Sequence, residues 1–329
     1  MDESILKQRP SETYDDYFVR LFENKKEYGL TCTDIAALLN AVNGHNYTEC
    51  AYRKFYAAFN RGRLYEQTFA DRGIKTRILC ISDFHFPFVK PIETFADYAG
   101  RTDILVLNGD ILDCYAISKF PKTYRSSPLE EMIGARQYLI DLIAYIQPQE
   151  VVVTYGNHCL RLASYLSSHL DTDIQELIPE TSLEYLFVDG FTHYNRKLKT
   201  KTYYEPISEV FDNIKITYTG NWYCQIFDTI FCHPKAFASS PMKTAEKAMY
   251  FFRNEGKQFQ TLVMAHTHRT GSYSIGNTMI YEQGAACDTD KLNYSNGMLV
   301  NSQKQGFICL CYDADGHCMV DKTKLITLN

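Results

Sequence analysis

Five short polar clusters follow one another along the chain, and each comes after a run of apolar, β-rich sequence. Their chemistry is that of Asp, His and Asn side chains, which bind borderline divalent metal ions without any need for a thiolate. Polar residues at the ends of several buried strands converge on one pocket. The pattern therefore predicts a metal-dependent enzyme. The clusters are Asp83-Phe84-His85, Gly109-Asp110-Ile111-Leu112-Asp113, Gly156-Asn157-His158, the lone His233, and His266-Thr267-His268.

A dinuclear site needs one ligand that bridges two cations, and a carboxylate does this while it cancels charge. Asp110 is the natural bridge. Imidazole nitrogens with carboxylate or amide oxygens favour Mn, Fe, Zn or Ni, whereas Ca prefers an all-oxygen cage. Of these ions we expect Mn. Asp83 and His85 are two residues apart, so an extended backbone directs both side chains to the same side. His266 and His268 repeat that spacing, and each pair is expected to reach into one cleft.

The clusters must be positioned by the strands that precede them. The runs with strand character lie at 77–81, 104–107, 151–155, 229–232 and 261–264. Helical runs at 127–146 and 243–252 alternate with strands, which favours an α/β arrangement. The later runs at 271–281 and 306–312 are typical of strands added antiparallel to a sheet.

In this order the clusters resemble the motifs of the calcineurin-like metallophosphoesterase superfamily, which read D-x-H, G-D-x-x-D, G-N-H-D/E, a lone H and G-H-x-H. The resemblance covers roughly residues 75–311 and implies an α/β fold, a two-sheet β-sandwich flanked by helices, with metals at the strand ends. It implies that the first metal binds Asp83, His85, Asp110 and His268. It implies that the second metal binds Asp110, Asn157, His233 and His266. It further implies that His158 is the general acid and that Asp113 orients it.

Two positions depart from the family pattern. Cys159 stands where the family usually has an acid, and Ala265 stands where it usually has glycine. Neither position supplies a metal ligand. We therefore expect altered support around the metals, with the metals retained.

The expected chemistry is metal-assisted hydrolysis of a phosphate ester. Two cations roughly 3.5–4 Å apart lower the pKa of a bridging water, clamp the phosphoryl oxygens and stabilise an in-line displacement. A His whose tautomer is held by a carboxylate can protonate the leaving group. Arg161 lies three residues after His158 and is a candidate phosphate contact; a surface position on the following helix is the alternative.

Some of these residues have an ordinary structural interpretation. Asp113 is equally typical of a helix N-cap after a strand. An isolated His233 is more often a packed core residue, although its place at a strand end before Pro234 favours ligation. Four other histidines have no motif around them and are treated as ordinary: His45, His169, His193 and His317.

Residues 1–72 are expected to form a small all-α domain ahead of a catalytic domain at 73–329. Thr31-Cys32-Thr33-Asp34 precedes a capped amphipathic helix, and a second helix follows a turn-rich stretch. The arrangement is similar to helix-turn-helix modules of phage-type enzymes. The second helix interleaves aromatic residues, expected to pack on the first helix, with basic residues that could contact DNA. The aromatic residues are Tyr52, Phe55, Tyr56 and Phe59, and the basic ones are Arg53, Lys54, Arg61 and Arg63. Residues 1–49 lean acidic, so packing or oligomerisation is the competing interpretation.

The stretch near 167–213 is longer than an ordinary crossover and is predicted to be a cap-like insertion beside the metal site. Its basic run at 196–201 and its aromatic residues would suit phosphates and nucleobases. An ordinary solvated loop is the alternative. The aromatic residues are Tyr185, Phe187, Phe191, Tyr194, Tyr203 and Tyr204.

Composition bounds the remaining possibilities. A chain of 329 residues exceeds what one core usually holds, which allows a second, smaller domain. No secretory signal or long apolar run is apparent, and most of the 11 Cys are expected to be buried thiols in a reducing compartment. We expect a location in the cytoplasm of a bacterial cell or of an infected host cell.

Three functions follow from these observations. The leading one is a metal-dependent phosphodiesterase or nuclease that hydrolyses nucleic acid or nucleotides by a metal-bridged hydroxide. The second is a phosphomonoesterase, including a protein phosphatase. Against it, Cys114-Tyr115 follows Asp113 and Cys159 follows His158, whereas protein phosphatases resemble one another in Asp-Arg-Gly and His-Glu at those places. The third is a DNA-binding or scaffold protein with a vestigial site, which the intact ligand set disfavours.

Overall fold

The computed structural model describes residues 3–118, 127–175, 178–292 and 302–328. The chain divides into two compact units, Met1–Arg72 and Gly73–Asn329. Within the described ranges, no helix combines the length and the apolar character needed to cross a lipid bilayer.

The N-terminal unit contains helices α1 (Tyr14–Glu23), α2 (Cys32–Asn43) and α3 (Glu49–Ala70). Thr31 caps α2 as its sequence indicates, because its hydroxyl accepts the Asp34 N–H and the Asp34 carboxylate accepts the Thr31 N–H. Leu21 of α1, Leu39 of α2 and Tyr52 of α3 meet in a small apolar core. The sequence analysis did not predict α1, which begins with an equivalent capping box.

The aromatic side chains of α3 do not share one environment. Tyr52 is buried between the helices, as expected. Tyr56 stacks on Phe22 of α1 with ring centroids 4.6 Å apart. Phe55 and Phe59 are 52% and 43% exposed, so the expectation that they pack on the preceding helix was wrong.

The described part of the C-terminal unit is built on two large sheets. One has the strand order β13-β12-β1-β2-β3-β6, the other has the order β10-β11-β9-β8-β7, and β4 and β5 form a separate hairpin. The strands are β1 (Thr76–Ile81), β2 (Ile104–Asn108), β3 (Glu150–Thr154), β4 (Phe191–Asn195), β5 (Thr200–Tyr204), β6 (Lys215–Tyr218), β7 (Tyr223–Ile226), β8 (Thr229–Cys232), β9 (Thr261–Met264), β10 (Thr270–Ile275), β11 (Thr278–Gln283), β12 (Gln305–Tyr312) and β13 (Lys324–Leu328). The helices are α4 (Pro128–Ile146), α5 (Arg161–Ser167), α6 (Thr172–Gln175), α7 (Ser182–Glu184) and α8 (Lys243–Asn254).

The two sheets pack face to face because alternate residues of each strand point to opposite sides. Ile78 and Cys80 of β1 pack with Phe231 and Val263 of the second sheet. Leu79 and its neighbours pack on the other side against α4, and α8 covers the outer face of the second sheet. The predicted two-sheet sandwich flanked by helices is confirmed.

Parallel pairing aligns the strand ends that carry the polar clusters. In the first sheet Ile81 of β1 is level with Leu107 of β2, and Asn108 of β2 is level with Thr154 of β3. In the second sheet β8 and β9 are also parallel and end together. The run at 271–281 forms the antiparallel hairpin β10-β11, but β11 joins β9 in parallel, so only β10 is an antiparallel addition there. Strand β12 pairs antiparallel with β1, as expected.

The stretch at 167–213 contains the β4-β5 hairpin, and the basic run lies at its turn. Phe187 is buried in the main core. Phe191 and Tyr204 stack on each other with centroids 5.0 Å apart. Tyr194 and Tyr203 are exposed. The aromatic residues of this segment therefore divide between structural packing and the protein surface.

Candidate metal centre

The first group of candidate ligands comprises Asp83, His85 and His268. The Nε2 atoms of His85 and His268 lie 3.1 Å apart, and Asp83 Oδ1 lies 3.1 Å from the His268 nitrogen and 3.7 Å from the His85 nitrogen. A cation bound at about 2.1 Å from each ligand requires ligand atoms roughly 3.0–3.4 Å apart. Two of the three separations fall in that range, and the third, between Asp83 Oδ1 and His85 Nε2, is slightly longer at 3.7 Å.

The second group comprises Asp110, His233 and His266. His233 Nε2 lies 3.0 Å from Asp110 Oδ2. Within the described chain, His266 Nε2 and Asn157 Oδ1 are buried without a hydrogen-bond partner. Because burying an unpaired polar atom is unfavourable, both atoms fit the role of ligands to an ion.

The two groups are neighbours. His233 Nε2 is 3.8 Å from Asp83 Oδ1 of the first group as well as 3.0 Å from Asp110 Oδ2 of its own. Asp110 belongs by distance to the second group, and its carboxylate also acts electrostatically on His85 of the first. The sequence-based ligands are therefore brought together in one centre, although their roles as ligands stay a prediction.

Three of the histidines are held so that Nε2 faces the centre. The Nδ1–H group of His233 donates to the Asn108 carbonyl at 2.8 Å. That of His85 donates to Asp113 Oδ1 at 3.2 Å, and that of His268 donates to Gln303 Oε1 at 2.9 Å. Fixing the proton on one ring nitrogen presents the lone pair of the other, which is how metal-binding histidines are oriented.

The carboxylates are held in the same way. Asp83 Oδ2 accepts hydrogen bonds from the Ser82 hydroxyl at 2.8 Å and from the His266 N–H at 3.2 Å, which leaves Oδ1 facing the histidines. Asp110 Oδ1 accepts the His158 N–H at 2.8 Å, which leaves Oδ2 facing His233. One oxygen of each carboxylate thus accepts hydrogen bonds that fix the side chain, and the other faces the candidate ligands.

Buried negative charge dominates the electrostatics. Burial alone would lower the pKa of His233, but the carboxylates of Asp110 and Asp83 raise it to about 9. Burial likewise opposes the charged form of His85, while the Asp113 and Asp83 carboxylates raise its pKa to about 10. In the metal-free protein these carboxylates favour the protonated imidazoles, and a bound divalent cation would take the place of those protons.

His266 differs from those two histidines. Its burial, together with the adjacent His233, lowers its pKa to about 3. The imidazole is therefore neutral and is ready to bind a cation without losing a proton.

The backbone at these clusters is not extended. Asp83, His85, Asp110, His266 and His268 all have positive φ, between 44° and 84°. This region is sparsely populated for residues other than glycine and is concentrated at functional sites. The side chains of each D-x-H or H-x-H pair do converge, but the expectation that an extended backbone directs them was wrong.

Two glycines let the loops approach each other. At Gly109, whose φ is +81°, an added Cβ would collide with the His233 ring, and at Gly156 it would collide with the Asp110 carboxylate.

The two departures from the family pattern are accommodated in the interior: Cys159 is fully buried in the main core, and the Ala265 N–H donates to the Cys232 carbonyl.

Asp113 connects His158 to the metal centre. Asp113 Oδ1 lies 3.1 Å from His158 Nδ1 and 3.2 Å from His85 Nδ1, so one oxygen faces both rings. The helical turn that follows begins after Cys114, and Asp113 is not its N-cap. Arg161 donates from Nη1 to the Asp113 carbonyl at 2.6 Å and from Nη2 to His158 Nε2 at 2.8 Å. The guanidinium is therefore directed at the centre and not at the surface.

Sequence reasoning missed two supporting residues. Glu131 of α4 is buried, and its carboxylate accepts the N–H groups of Cys114 and Tyr115, immediately after Asp113. Gln303 orients His268 from a loop 35 residues further along the chain. A Glu within a helix and a Gln within a loop give no signal in a single sequence.

Comparison with known proteins follows the same division of the chain. Residues 2–69 match the family model of the YonJ N-terminal domain, and residues 76–277 match that of the calcineurin-like phosphoesterases. No curated protein matches the chain. Similar solved structures include a single mutant of Vps29 from Entamoeba histolytica, 15% identical over 77% of this chain and 100% of that one, with a TM-score of 0.34. Vps29 from Cryptosporidium parvum is 11% identical over 78% and 99%, with a TM-score of 0.37. An archaeal phosphodiesterase is 14% identical over 77% and 100%, with a TM-score of 0.30.

Proposed function

This chain belongs to the calcineurin-like phosphoesterase family and is a metal-dependent phosphoesterase. On that premise, we propose that it hydrolyses phosphodiesters of nucleic acid or nucleotides with two divalent metal ions. The metals are proposed to be Mn first, with Fe, Zn or Ni as alternatives. Asp83, His85, His268 and Asp110 would hold one ion. Asp110, Asn157, His233 and His266 would hold the other.

The observation that carries the proposal is the pair of ligand groups at the ends of parallel strands. Their atoms lie at metal-ligand spacing, and the buried Asn157 Oδ1 and His266 Nε2 have no partner in the described chain. Three buried carboxylates around them, those of Asp83, Asp110 and Asp113, favour cations in the same place.

With two divalent ions bound by these residues, the centre would gain an activated water and positive charge to neutralise the phosphoryl group. The protein side chains then have to manage one proton at the leaving oxygen. His158 is proposed to do this, with its Nδ1–H held by Asp113. Its Nε2 accepts from Arg161, so the proposal requires the guanidinium to turn toward a phosphate oxygen and leave Nε2 to exchange a proton with the leaving group.

Space beside the ligands can hold an organic group that the phosphate carries. A cavity of about 730 Å³ begins at Asn157 and Arg161 and extends along α5. A diester keeps one organic group on the phosphorus after the other has left, and this cavity has room for such a group.

The N-terminal unit is a proposed DNA contact through Arg53, Lys54, Arg61 and Arg63. Acidic residues partly offset this charge, since Arg53 pairs with Glu49 at 2.8 Å and Arg63 with Glu23 at 2.7 Å. Exposed Phe55 and Phe59 lie on the same helix and are suited to stacking on bases. A gel shift of the full chain without metal, with the four basic residues changed to Ala as the comparison, tests this contact separately from catalysis.

The experiment that tests the proposed function is Mn-dependent hydrolysis of a substrate panel. The panel contains bis-p-nitrophenyl phosphate, p-nitrophenyl phosphate, cyclic nucleotides, RNA, and single- and double-stranded DNA. His158→Ala is the variant expected to lose turnover of the diesters with poor leaving groups, namely the cyclic nucleotides, RNA and DNA, and His317→Ala, at an exposed histidine outside the centre, is the matched control. Cleavage of these diesters by the wild type and the control but not by His158→Ala supports the proposal. Turnover of monoesters alone overturns it in favour of a phosphomonoesterase.

A further inference from the structure

One face of α5 is polar and aromatic and does not serve the protein core. Arg161, Ser164, Tyr165 and Ser168 are spaced i, i+3, i+4 and i+7, which places them on the same side of the helix. No residue of α5 is buried. A helix in a globular protein normally buries an apolar stripe. This face is therefore open to a ligand.

The same four residues line the cavity that begins at the metal centre. The cavity of about 730 Å³ is bounded also by Asn157, a candidate ligand, and by Lys235, two residues after His233. Its volume lies within the roughly 300–1,000 Å³ that is usual for small-molecule sites. Because Asn157 lines both, a phosphate at the candidate ligands would lie next to this cavity.

Tyr165 is held in place and still available. Its ring stacks on His169 with centroids 4.3 Å apart and planes 26° apart, while 42% of the residue stays exposed. His169 is fixed in turn by Nδ1 contacts of 2.7 Å to the Tyr165 carbonyl and 2.9 Å to the Ser168 hydroxyl. A pre-positioned aromatic ring loses little freedom when a second planar group stacks on it.

Two of the polar groups that line the cavity have no partner elsewhere in the described ranges. Neither the Ser164 hydroxyl nor the Lys235 ammonium makes a hydrogen bond or ion pair there, although both line the cavity. A hydroxyl can bond to the edge of a base or to a sugar, and an ammonium can bond to a phosphate oxygen.

We infer that this cavity is a nucleoside subsite, in which Tyr165 stacks on the base of the nucleotide whose phosphate lies at the metal centre. The inference rests on the proposed function and extends it by naming the organic group that stays on the phosphorus, which is a nucleoside. Ser164 contacts the base edge or sugar, and Lys235 contacts the phosphate. Since every base has an aromatic face, the subsite recognises bases without selecting among them.

Binding measures the subsite without relying on turnover. We would titrate the Mn-loaded protein with thymidine 5′-monophosphate and with 2-deoxyribose 5-phosphate, which lacks only the base, and compare their Kd values by calorimetry. The wild type is expected to prefer the nucleotide by about tenfold or more, the range that stacking on an aromatic ring provides. Tyr165→Ala is expected to lose that preference, Tyr165→Phe to keep it, and Tyr250→Ala, at an exposed tyrosine of α8, to leave it unchanged.

Equal preference in the wild type and Tyr165→Ala, with metal content and melting temperature unaltered, overturns the inference. A parallel hydrolysis assay separates this failure from failure of the proposed function. It compares methyl p-nitrophenyl phosphate with thymidine 5′-monophosphate p-nitrophenyl ester. If neither ester is hydrolysed, the proposed function fails and the binding ratio still decides the subsite. If both are hydrolysed with an efficiency ratio that Tyr165→Ala does not change, only the subsite fails.

Discussion

Replacing Glu131 by Gln measures the electrostatic consequence of a buried carboxylate that supports the candidate site. Glu131 is 4% exposed, and its carboxylate accepts the N–H groups of Cys114 and Tyr115. Burial raises its pKa to about 7 from an ordinary 4.5, the two N–H groups oppose that rise, and the nearby Asp113 charge adds to it. The folded protein therefore binds this proton more tightly than the unfolded chain does.

The sign and size of the effect follow from that difference. Glu131 contributes stability that is complete below pH 4.5, where both states hold the proton, and is lost as the pH rises through about 7. The interval corresponds to about 3 kcal/mol at about 1.4 kcal/mol per pKa unit. Gln has the same shape and does not titrate. It also presents one oxygen instead of two to the loop, a constant loss of about 1 kcal/mol that does not depend on pH.

The assay is urea unfolding of the metal-free protein at several pH values between 4.5 and 8. The free energy of unfolding of the wild type minus that of Glu131→Gln should fall by about 3 kcal/mol across this range. Glu130→Gln, at the exposed neighbouring position of α4, is the matched control and should give a flat difference. A flat difference for Glu131→Gln as well would show that the carboxylate is not held out of water, and the reasoning would be refuted.

Three further predictions concern the centre itself. His158→Ala should keep its metals by elemental analysis yet lose roughly hundredfold or more in kcat on diesters with poor leaving groups; full activity would remove its assigned role. Asp113→Asn should weaken metal affinity or turnover by about 10–100-fold, because its oxygen faces both His85 and His158; wild-type affinity and rate together would contradict this. Calorimetry of Mn²⁺ binding at pH 7 in buffers of different ionisation enthalpy should detect release of about two protons. The pKa values of His85 and His233 are about 10 and about 9, and both imidazoles must become neutral to bind the ion. That release should diminish as the pH rises through 9 to 10, and its absence at pH 7 would show that the imidazoles are not protonated in the metal-free protein.

Much of the architecture was predictable because local signals agree with it. The apolar runs at 229–232 and 261–264 coincide with β8 and β9, and α2 begins at the capping box that its sequence contains. Since parallel strands end at one edge, the order of polar residues along the chain was enough to predict that they converge.

Other features depend on contacts that no local pattern encodes. The positive φ of Asp83 and His85 arises because the loop after β1 forms backbone hydrogen bonds with the loop after β2, as in His85 N–H to the Asp110 carbonyl at 3.0 Å. The supporting role of Gln303 arises from tertiary packing. Arg161 was weighed as a surface residue, and only its distance to His158 shows where the guanidinium points.

The cavity shows a further limit of sequence reasoning. The numerous aromatic and basic residues at 185–204 predict a wall beside the metals. The described residues that line the cavity come instead from α5 and its flanking residues, from Ile117 and Ser118 after β2, and from Lys235. Tyr165 is one aromatic residue in a helix without a recognisable motif, and composition alone could not distinguish it from an ordinary surface tyrosine.

The central claim is that Asp110 joins two metal ions in a centre that hydrolyses phosphodiesters. The most direct test measures Mn content and hydrolysis of bis-p-nitrophenyl phosphate side by side for the wild type and Asp110→Asn. We expect two ions per chain and Mn-dependent hydrolysis in the wild type, with both ions bound weakly and hydrolysis lost in the variant. A variant that keeps two tightly bound ions and full hydrolysis would contradict it.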